Sequence, residues 1–173
     1  MRDRTFSLTR CTLRPWRIED LDSLVHHAND ERVAATVRDL FPSPYTRDDG
    51  ERWLSHATGA GRQSSLAIEI DGDAVGGIGM IQGQDVHRIC CEIGYWLGQA
   101  FWGRGVMTEA VTTYSEHLLR DRGFLRLEAP VFAINPASAR VLEKSGYERE
   151  STQRRAAIKL GRVIDVWMYV RLA

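Results

Sequence analysis

The run from Glu92 to Ala110 constrains the fold more than any other part of the chain. Glu92-Ile93-Gly94-Tyr95-Trp96-Leu97 has strand character. A strand there puts Ile93, Tyr95 and Leu97 on one face and Glu92, Gly94 and Trp96 on the other. Gly98 to Gly105 is glycine-rich. A helix is predicted from about Val106 to Arg122, with an apolar stripe of Val106, Met107, Ala110, Val111, Tyr114 and Leu118, and Gly123 stops it. A turn that opens a helix in this way exposes backbone N–H groups with no intrahelical partner. The helix dipole adds partial positive charge at the same end. Together these suit a phosphate, and glycine lets an anion approach the backbone closely. The glycines alone fit a plain strand-to-helix turn equally well. The chain has no Gly-Lys-Ser/Thr after a glycine loop and no full G-x-G-x-x-G, so the standard nucleotide fingerprints do not apply.

The flanking segments complete a pattern. Phe6 to Leu13 reads as one strand ending at Pro15, followed by a helix from Arg17 to Asn29 with acidic residues in its first turn. Phe41-Pro42-Ser43-Pro44-Tyr45 is an extended loop, and Thr46 caps a helix that runs toward Thr58 and stops at Gly59 and Gly61. Ser65–Ile70 and Ala74–Ile81 read as strands joined by the hairpin signal Asp71-Gly72-Asp73. Cys90–Leu97 and Leu125–Phe132 are further strands. Asn135-Pro136 starts a helix that ends at Gly146, and strands Tyr147–Glu150 and Val163–Val170 close the chain. The expectation is an α/β (α+β) domain: a mixed, largely antiparallel sheet of about seven strands with about four helices. The 173 residues fit one domain, 1–173.

Composition narrows function mainly by exclusion. Lys plus Arg and Asp plus Glu are 23 each, so the net charge is zero and no basic excess points to nucleic acid. Three cysteines, two of them adjacent, argue against a disulfide framework and for a reducing compartment. No apolar run approaches a membrane span, and Met1-Arg2-Asp3-Arg4 lacks the apolar stretch of a signal peptide, so a cytoplasmic protein is expected. His26 and His27 should diverge on their helix, and His56, His87 and His117 are scattered, so no pair has metal-ligand spacing. Cys90 and Cys91 lack an evident His or Asp partner for covalent catalysis. Trp16, Trp53 and Trp167 read as packing residues. Arg149, Arg154, Arg155, Lys159 and Arg162 form a basic cluster, read first as a solvated face.

The stretch Phe101-Trp102-Gly103-Arg104-Gly105-Val106-Met107-Thr108-Glu109-Ala110 resembles the acetyl-CoA pyrophosphate loop of the GNAT acyltransferase superfamily, and more narrowly its Rim branch of ribosomal-protein N-terminal acetyltransferases. Three further segments are similar to that branch. They are Leu13-Arg14-Pro15-Trp16 with Glu19-Asp20, Phe41 to Thr46 with Trp53-Leu54, and Asn135-Pro136-Ala137-Ser138 through Tyr147. Together they span nearly the whole chain. The resemblance implies a GNAT fold: a strongly twisted sheet splayed between the Cys90–Leu97 and Leu125–Phe132 strands, with the pantetheine arm of acetyl-CoA in the gap. It implies that Trp96, Leu97 and Gly98 pair with pantetheine. It implies that Trp102, Gly103, Arg104, Gly105, Val106, Met107 and Thr108 hold the pyrophosphate. Asn135 looks like the residue lining the pantetheine channel. No metal is implied, and a homodimer is the assembly the resemblance suggests.

Two positions depart from the common pattern. Trp102 and Met107 stand where many GNAT loops have Arg or Gln and Gly or Ala, though backbone amides remain whatever the side chains are. Leu142 stands where many members carry a Tyr that protonates the leaving thiolate, and Ser138 resembles the Rim-branch serine given that role. A Ser at the third helical position could equally be a capping group. Glu92, on the Trp96 face, could accept the amine proton or form an ordinary surface pair. The expected reaction is acetyl transfer to a primary amine, a protein or peptide N-terminus first. Two alternatives stay open: a small amine such as a polyamine or aminoglycoside, and a non-catalytic acyl-CoA-binding protein on the same scaffold.

Overall fold

The computed structural model describes residues 5–59 and 64–173. Met1–Arg4 and Gly61, which the sequence reading used for the leader and the helix stop, lie outside the described residues. In chain order the elements are β1 (Phe6–Ser7), β2 (Thr12–Arg14), α1 (Leu21–Ala28), α2 (Glu31–Ala34), α3 (Arg47–Thr58), β3 (Ser65–Ile70), β4 (Asp73–Gln82), β5 (Cys90–Leu97), α4 (Val106–Arg120), β6 (Arg126–Phe132), α5 (Pro136–Lys144), β7 (Glu148–Lys159) and β8 (Arg162–Leu172). Short 3-10 turns precede α1 at Ile18–Asp20, precede β5 at Asp85–His87 and follow it at Gln99–Phe101. The described strands form a mixed sheet in the order β1-β2-β3-β4-β5-β6-β8-β7. The backbone divides into two compact units: residues 1–79 with 95–106, and residues 80–94 with 107–173.

In the first unit β1, β2, β3 and β4 pair antiparallel in succession. Arg14 on β2 is 2% exposed. It donates two bonds to Asp20, at 2.8 and 2.7 Å, and a third to Glu69 on β3. Asp20 also accepts from the backbone N–H of Arg17, which starts the 3-10 turn. The Leu13-Arg14…Asp20 signature is therefore a buried charge cluster that ties the sheet to the first helical turn. Trp16, Leu24, Ala28, Tyr45, Leu54, Ala57, Ala67 and Ala74 form the core beside it. The Trp16 indole donates to Ser65 Oγ and meets Trp53 edge-on. Thr46 and Asp49 form a reciprocal capping box at the start of α3. The Asp71-Gly72 turn has positive φ at both residues, as a two-residue hairpin requires.

In the second unit β6 pairs antiparallel with β8, and β8 with β7. β5 and β6 pair in parallel over Cys90↔Arg126, Cys91↔Leu127 and Glu92↔Glu128, where their pairing ends, while β6 pairs β8 through Phe132. This is the splay the resemblance implied. The buried Ser145 hydroxyl, just past α5, donates to Thr108 O in the first turn of α4, and Tyr147 OH shares a hydrogen bond with Ser115 Oγ. The expected α4 stripe is buried in full.

The differences from expectation have local causes. The first strand is a two-strand hairpin, because Leu8 N–H bonds Cys11 O and turns the chain at Thr9-Arg10. The four-residue α2, capped by Asp30, supplies a fifth α-helix. β7 extends to Lys159 because it is an edge strand with almost every side chain exposed, so its sequence shows no period-2 alternation. His26 and His27 do not diverge: their rings pack edge-on at 4.7 Å. Within the basic cluster Lys159 is buried, while Arg149, Arg154, Arg155 and Arg162 are exposed, with Arg149 stacked over Trp167.

Candidate functional site

β5 presents the two faces read from its sequence. Cys91, Ile93 and Leu97 are buried, whereas Glu92 and Trp96 are half-buried and Gly94 between them is exposed. A Cβ at Gly94 would meet nothing within 4 Å, so this face is open at Gly94, whereas Trp96 on the same face packs against Phe41 at 5.4 Å. Trp96 is seated by two glycines of β4. A Cβ at Gly77 would come within 3.0 Å of the Trp96 indole, and one at Gly76 within 2.5 Å of its carbonyl. Paired glycines inside a strand pattern mark such a close approach, and this signal went unused in the sequence reading.

The turn after β5 is held from several sides. Gly98 N–H bonds Val75 O, and the Trp102 indole donates to Leu97 O at 2.7 Å. Trp102 is 41% exposed. It thus serves as a brace across the turn. Gly103 and Gly105 take left-handed backbone conformations, with φ of 73° and 77°. A Cβ at Gly103 would meet nothing within 4 Å, and one at Gly105 would lie 3.3 Å from the Arg10 guanidinium. Arg104 sits between the two glycines, its guanidinium 5.6 Å over the Phe101 ring. The 15-residue α4 starts at Val106, so the amides of Val106, Met107 and Thr108 lie in its first turn, where no intrahelical acceptor exists. A left-handed glycine facing open space, followed by a helix N-terminus, fits a pyrophosphate.

In the second unit Asn135 is the N-cap of α5. Its side-chain oxygen accepts the Ser138 N–H at 3.1 Å, and Pro136 holds the first helical position. Capping therefore falls to Asn135. Ser138 is half-buried at the third helical position, and Glu92 lies in the same unit on β5. Leu142 is fully buried. Burial also pushes the Cys91 thiol up to about 12, so a reactive thiolate is not available there. Among the described residues, no three His, Cys, Asp or Glu side chains are grouped to hold a metal. Among the same residues no helix is long and apolar enough to cross a membrane.

His27 was not singled out by the sequence. It is half-buried near the end of α1, packs edge-on against Phe101 at 5.5 Å and lies against Gly98. Burial lowers its pKa, helped by His26 and opposed by Asp73, so the ring is neutral at pH 7.

Comparison with known proteins bears on the family and the fold. Residues 10–148 match the family model of the acetyltransferase (GNAT) domain. An uncharacterised N-acetyltransferase p20 of Bacillus licheniformis is 28% identical over 173 residues, covering 95% of this chain and 94% of its own length. The fold matches a RimL ribosomal L7/L12 α-N-protein acetyltransferase in complex with coenzyme A, with a TM-score of 0.85, 18% identity and 98% of both chains covered. It also matches the microcin C7 self-immunity acetyltransferase MccE in complex with acetyl-CoA and AMP, with a TM-score of 0.80, 19% identity, and 96% and 94% of the two chains covered. With the family model spanning well over half its length, the chain belongs to the GNAT family and is an acetyl-CoA-dependent acetyltransferase.

Proposed function

We propose that this chain, as one N-acetyltransferase domain, transfers acetyl from acetyl-CoA to the α-amine of a protein or peptide N-terminus. Donor and acceptor would be bound together in a ternary complex. The observation that carries the donor half is the left-handed Gly103–Gly105 turn opening onto the first turn of α4. In this reading the amides from Gly103 to Thr108 hold the pyrophosphate. Arg104 and Trp102 shape the turn, and the backbone of Trp96, Leu97 and Gly98 pairs with pantetheine through groups other than Gly98 N–H, which is bonded to Val75 O. Asn135, its oxygen committed to the cap, is assigned to the pantetheine channel on the resemblance alone.

The amine nitrogen attacks the thioester carbonyl carbon, the C–S bond breaks, and coenzyme A leaves as thiol. Glu92, on the open face of β5, takes the ammonium proton directly or through water. Backbone N–H groups near Trp96 steady the oxyanion. Ser138 gives the thiolate its proton and regains one from solvent. This chemistry calls for no metal. An α-amine with a pKa of about 7.7–8.0 is partly neutral at pH 7, whereas a lysine at about 10.4 is neutral in only about one molecule in a few thousand. With a single carboxylate as base, the α-amine is the easier acceptor. The likeness to RimL supports it, and the likeness to MccE keeps a small amine as the second reading. A soluble cytoplasmic setting, no nucleic-acid partner and a homodimer complete the proposal.

Thiol release from acetyl-CoA against an amine panel tests it. The panel holds free-N-terminus peptides, the same peptides blocked at the N-terminus but bearing lysine, spermidine and an aminoglycoside. Release only with free N-termini is the expected result. Release only with a small amine replaces the acceptor, and no release with any amine despite acetyl-CoA binding removes the catalytic reading. Glu92→Gln should lower turnover by about 10²-fold, most at low pH where the amine is protonated, and leave acetyl-CoA affinity unchanged. Turnover equal to the parent at every pH rules Glu92 out. Ser138→Ala should lower turnover more than melting temperature, because the cap belongs to Asn135.

A further inference from the structure

The turn that carries Gly103 and Gly105 rests on a column of rings that begins outside it. His26 packs on His27 at 4.7 Å, His27 on Phe101 at 5.5 Å, and Arg104 lies 5.6 Å over Phe101. Every contact is side chain to side chain, and the column ends at the residue flanked by the two left-handed glycines. Its base is tight. A Cβ at Gly98 would lie 3.0 Å from His27 Nδ1 and 3.1 Å from its Cβ, so a side chain there would push the ring back by a few tenths of an ångström. Phe101 belongs to the Gln99–Phe101 3-10 turn, a single turn too short to hold itself. What Phe101 packs against therefore fixes the entry to the loop together with the Gly98–Val75 and Trp102–Leu97 hydrogen bonds.

We infer that His27 is a positioning residue for acetyl-CoA binding: its ring is the fixed platform on which Gly98 and Phe101 seat the pyrophosphate turn. This rests on the reading that the turn holds the pyrophosphate. His27 touches no reacting atom, and its effect travels through Phe101 to Arg104. The platform works as a neutral ring, which its burial favours at pH 7. The groups facing it are His26 beside it, Asp73 at longer range and Arg104 across Phe101. Acetyl-CoA affinity should therefore depend on His27, whereas the acceptor's KM and the rate at saturation should not.

The test is calorimetric acetyl-CoA binding together with steady-state kinetics in both substrates on the full chain, with melting temperatures as control. His27→Ala and Phe101→Leu should each weaken acetyl-CoA binding and raise its KM three- to tenfold, roughly the worth of one aromatic contact. kcat should stay within twofold and the amine KM should be unchanged. His27→Phe, which keeps a ring, should restore affinity to within twofold. Gly98→Ala should also weaken binding, and Gly98→Ala with His27→Ala together should bind no worse than His27→Ala alone, because the side chain that the new methyl strikes is gone. Gly103→Val separates the two levels. If it abolishes tight binding while His27→Ala and Phe101→Leu bind like the parent, the turn holds the pyrophosphate and His27 is not its platform. If Gly103→Val also binds like the parent, the loop reading itself falls, and the platform with it. Should His27→Ala not fold, Phe101→Leu against His27→Phe decides by the same criteria.

Discussion

Replacing Arg14 with methionine should lower the free energy of unfolding by about 3–5 kcal/mol, the cost of stranding buried charge. Arg14 is almost fully enclosed and is the cation for two carboxylates, Asp20 through a two-point fork and Glu69 across the β2–β3 pairing. Its pKa is driven further upward chiefly by the Asp20 bond, so it stays charged at every accessible pH. Methionine fills similar volume but leaves Asp20 buried without its partner. Lysine keeps the charge yet cannot make the fork, so Arg14→Lys should fall between parent and Arg14→Met. Urea unfolding read by tryptophan fluorescence measures both. A loss below about 1 kcal/mol for Arg14→Met would put the cluster in the class of surface pairs and end its claim to anchor the first helical turn. Acetyl-CoA affinity of the folded fraction should not change, because Arg14 contacts no part of the loop in the hydrogen bonds and ion pairs it makes.

That cluster shows how far this fold is legible in one dimension. The signature Leu13-Arg14-Pro15-Trp16…Asp20 was visible as a family resemblance. That it is a charge buried with its partners depends on Glu69, a residue distant in sequence that only strand pairing brings alongside. The same division holds at the candidate site. The two faces of β5, the α4 stripe, the Asn135-Pro136 helix start and the Asp71-Gly72 turn are local, each set by a period of two, a period of 3.6 or a cap. All of them appear where the residues put them. The positioning contacts are non-local. Nothing in the order of residues announces that His27 lies under Gly98 and Phe101, or that Gly76 and Gly77 clear space for Trp96. β7 fails for another reason. An edge strand with both faces in solvent carries no burial pattern, so beyond Glu150 its sequence gives no reason to expect a strand. The first strand fails because a tight turn at Thr9-Arg10 uses no glycine or proline to mark itself.

Sequence also leaves Ser138 between two roles, and the cap decides part of the matter. A serine at the third helical position usually serves the backbone, but here Asn135 accepts the Ser138 N–H and takes the capping duty. That removes one structural explanation for the residue. Leu142 is buried and apolar, and Ser138 carries the hydroxyl of α5, which is why the proposed mechanism uses it for the leaving thiol.

Gly103→Val should weaken acetyl-CoA binding by well over tenfold, and a matched glycine shows why this would not be a stability effect. Gly103 and Gly123 share the left-handed conformation, at φ 73° and 74°, and a Cβ at either would meet nothing within 4 Å. A β-branched side chain in that conformation costs about 1–3 kcal/mol at each site. The two substitutions should therefore lower the melting temperature by similar amounts. Only Gly103 precedes the first turn of α4, where unpaired amides and the dipole would meet the pyrophosphate; Gly123 follows the last turn. Valine at 103 puts two methyl groups in the approach to those amides, and valine at 123 leaves them clear. Isothermal titration with acetyl-CoA should give a large loss for Gly103→Val and none for Gly123→Val. Equal losses would mean that backbone strain loosens the whole chain and that neither glycine speaks for a ligand. Parent-like binding by both would mean that the open space at Gly103 is not where the pyrophosphate enters, and the donor site would have to be sought elsewhere on the chain.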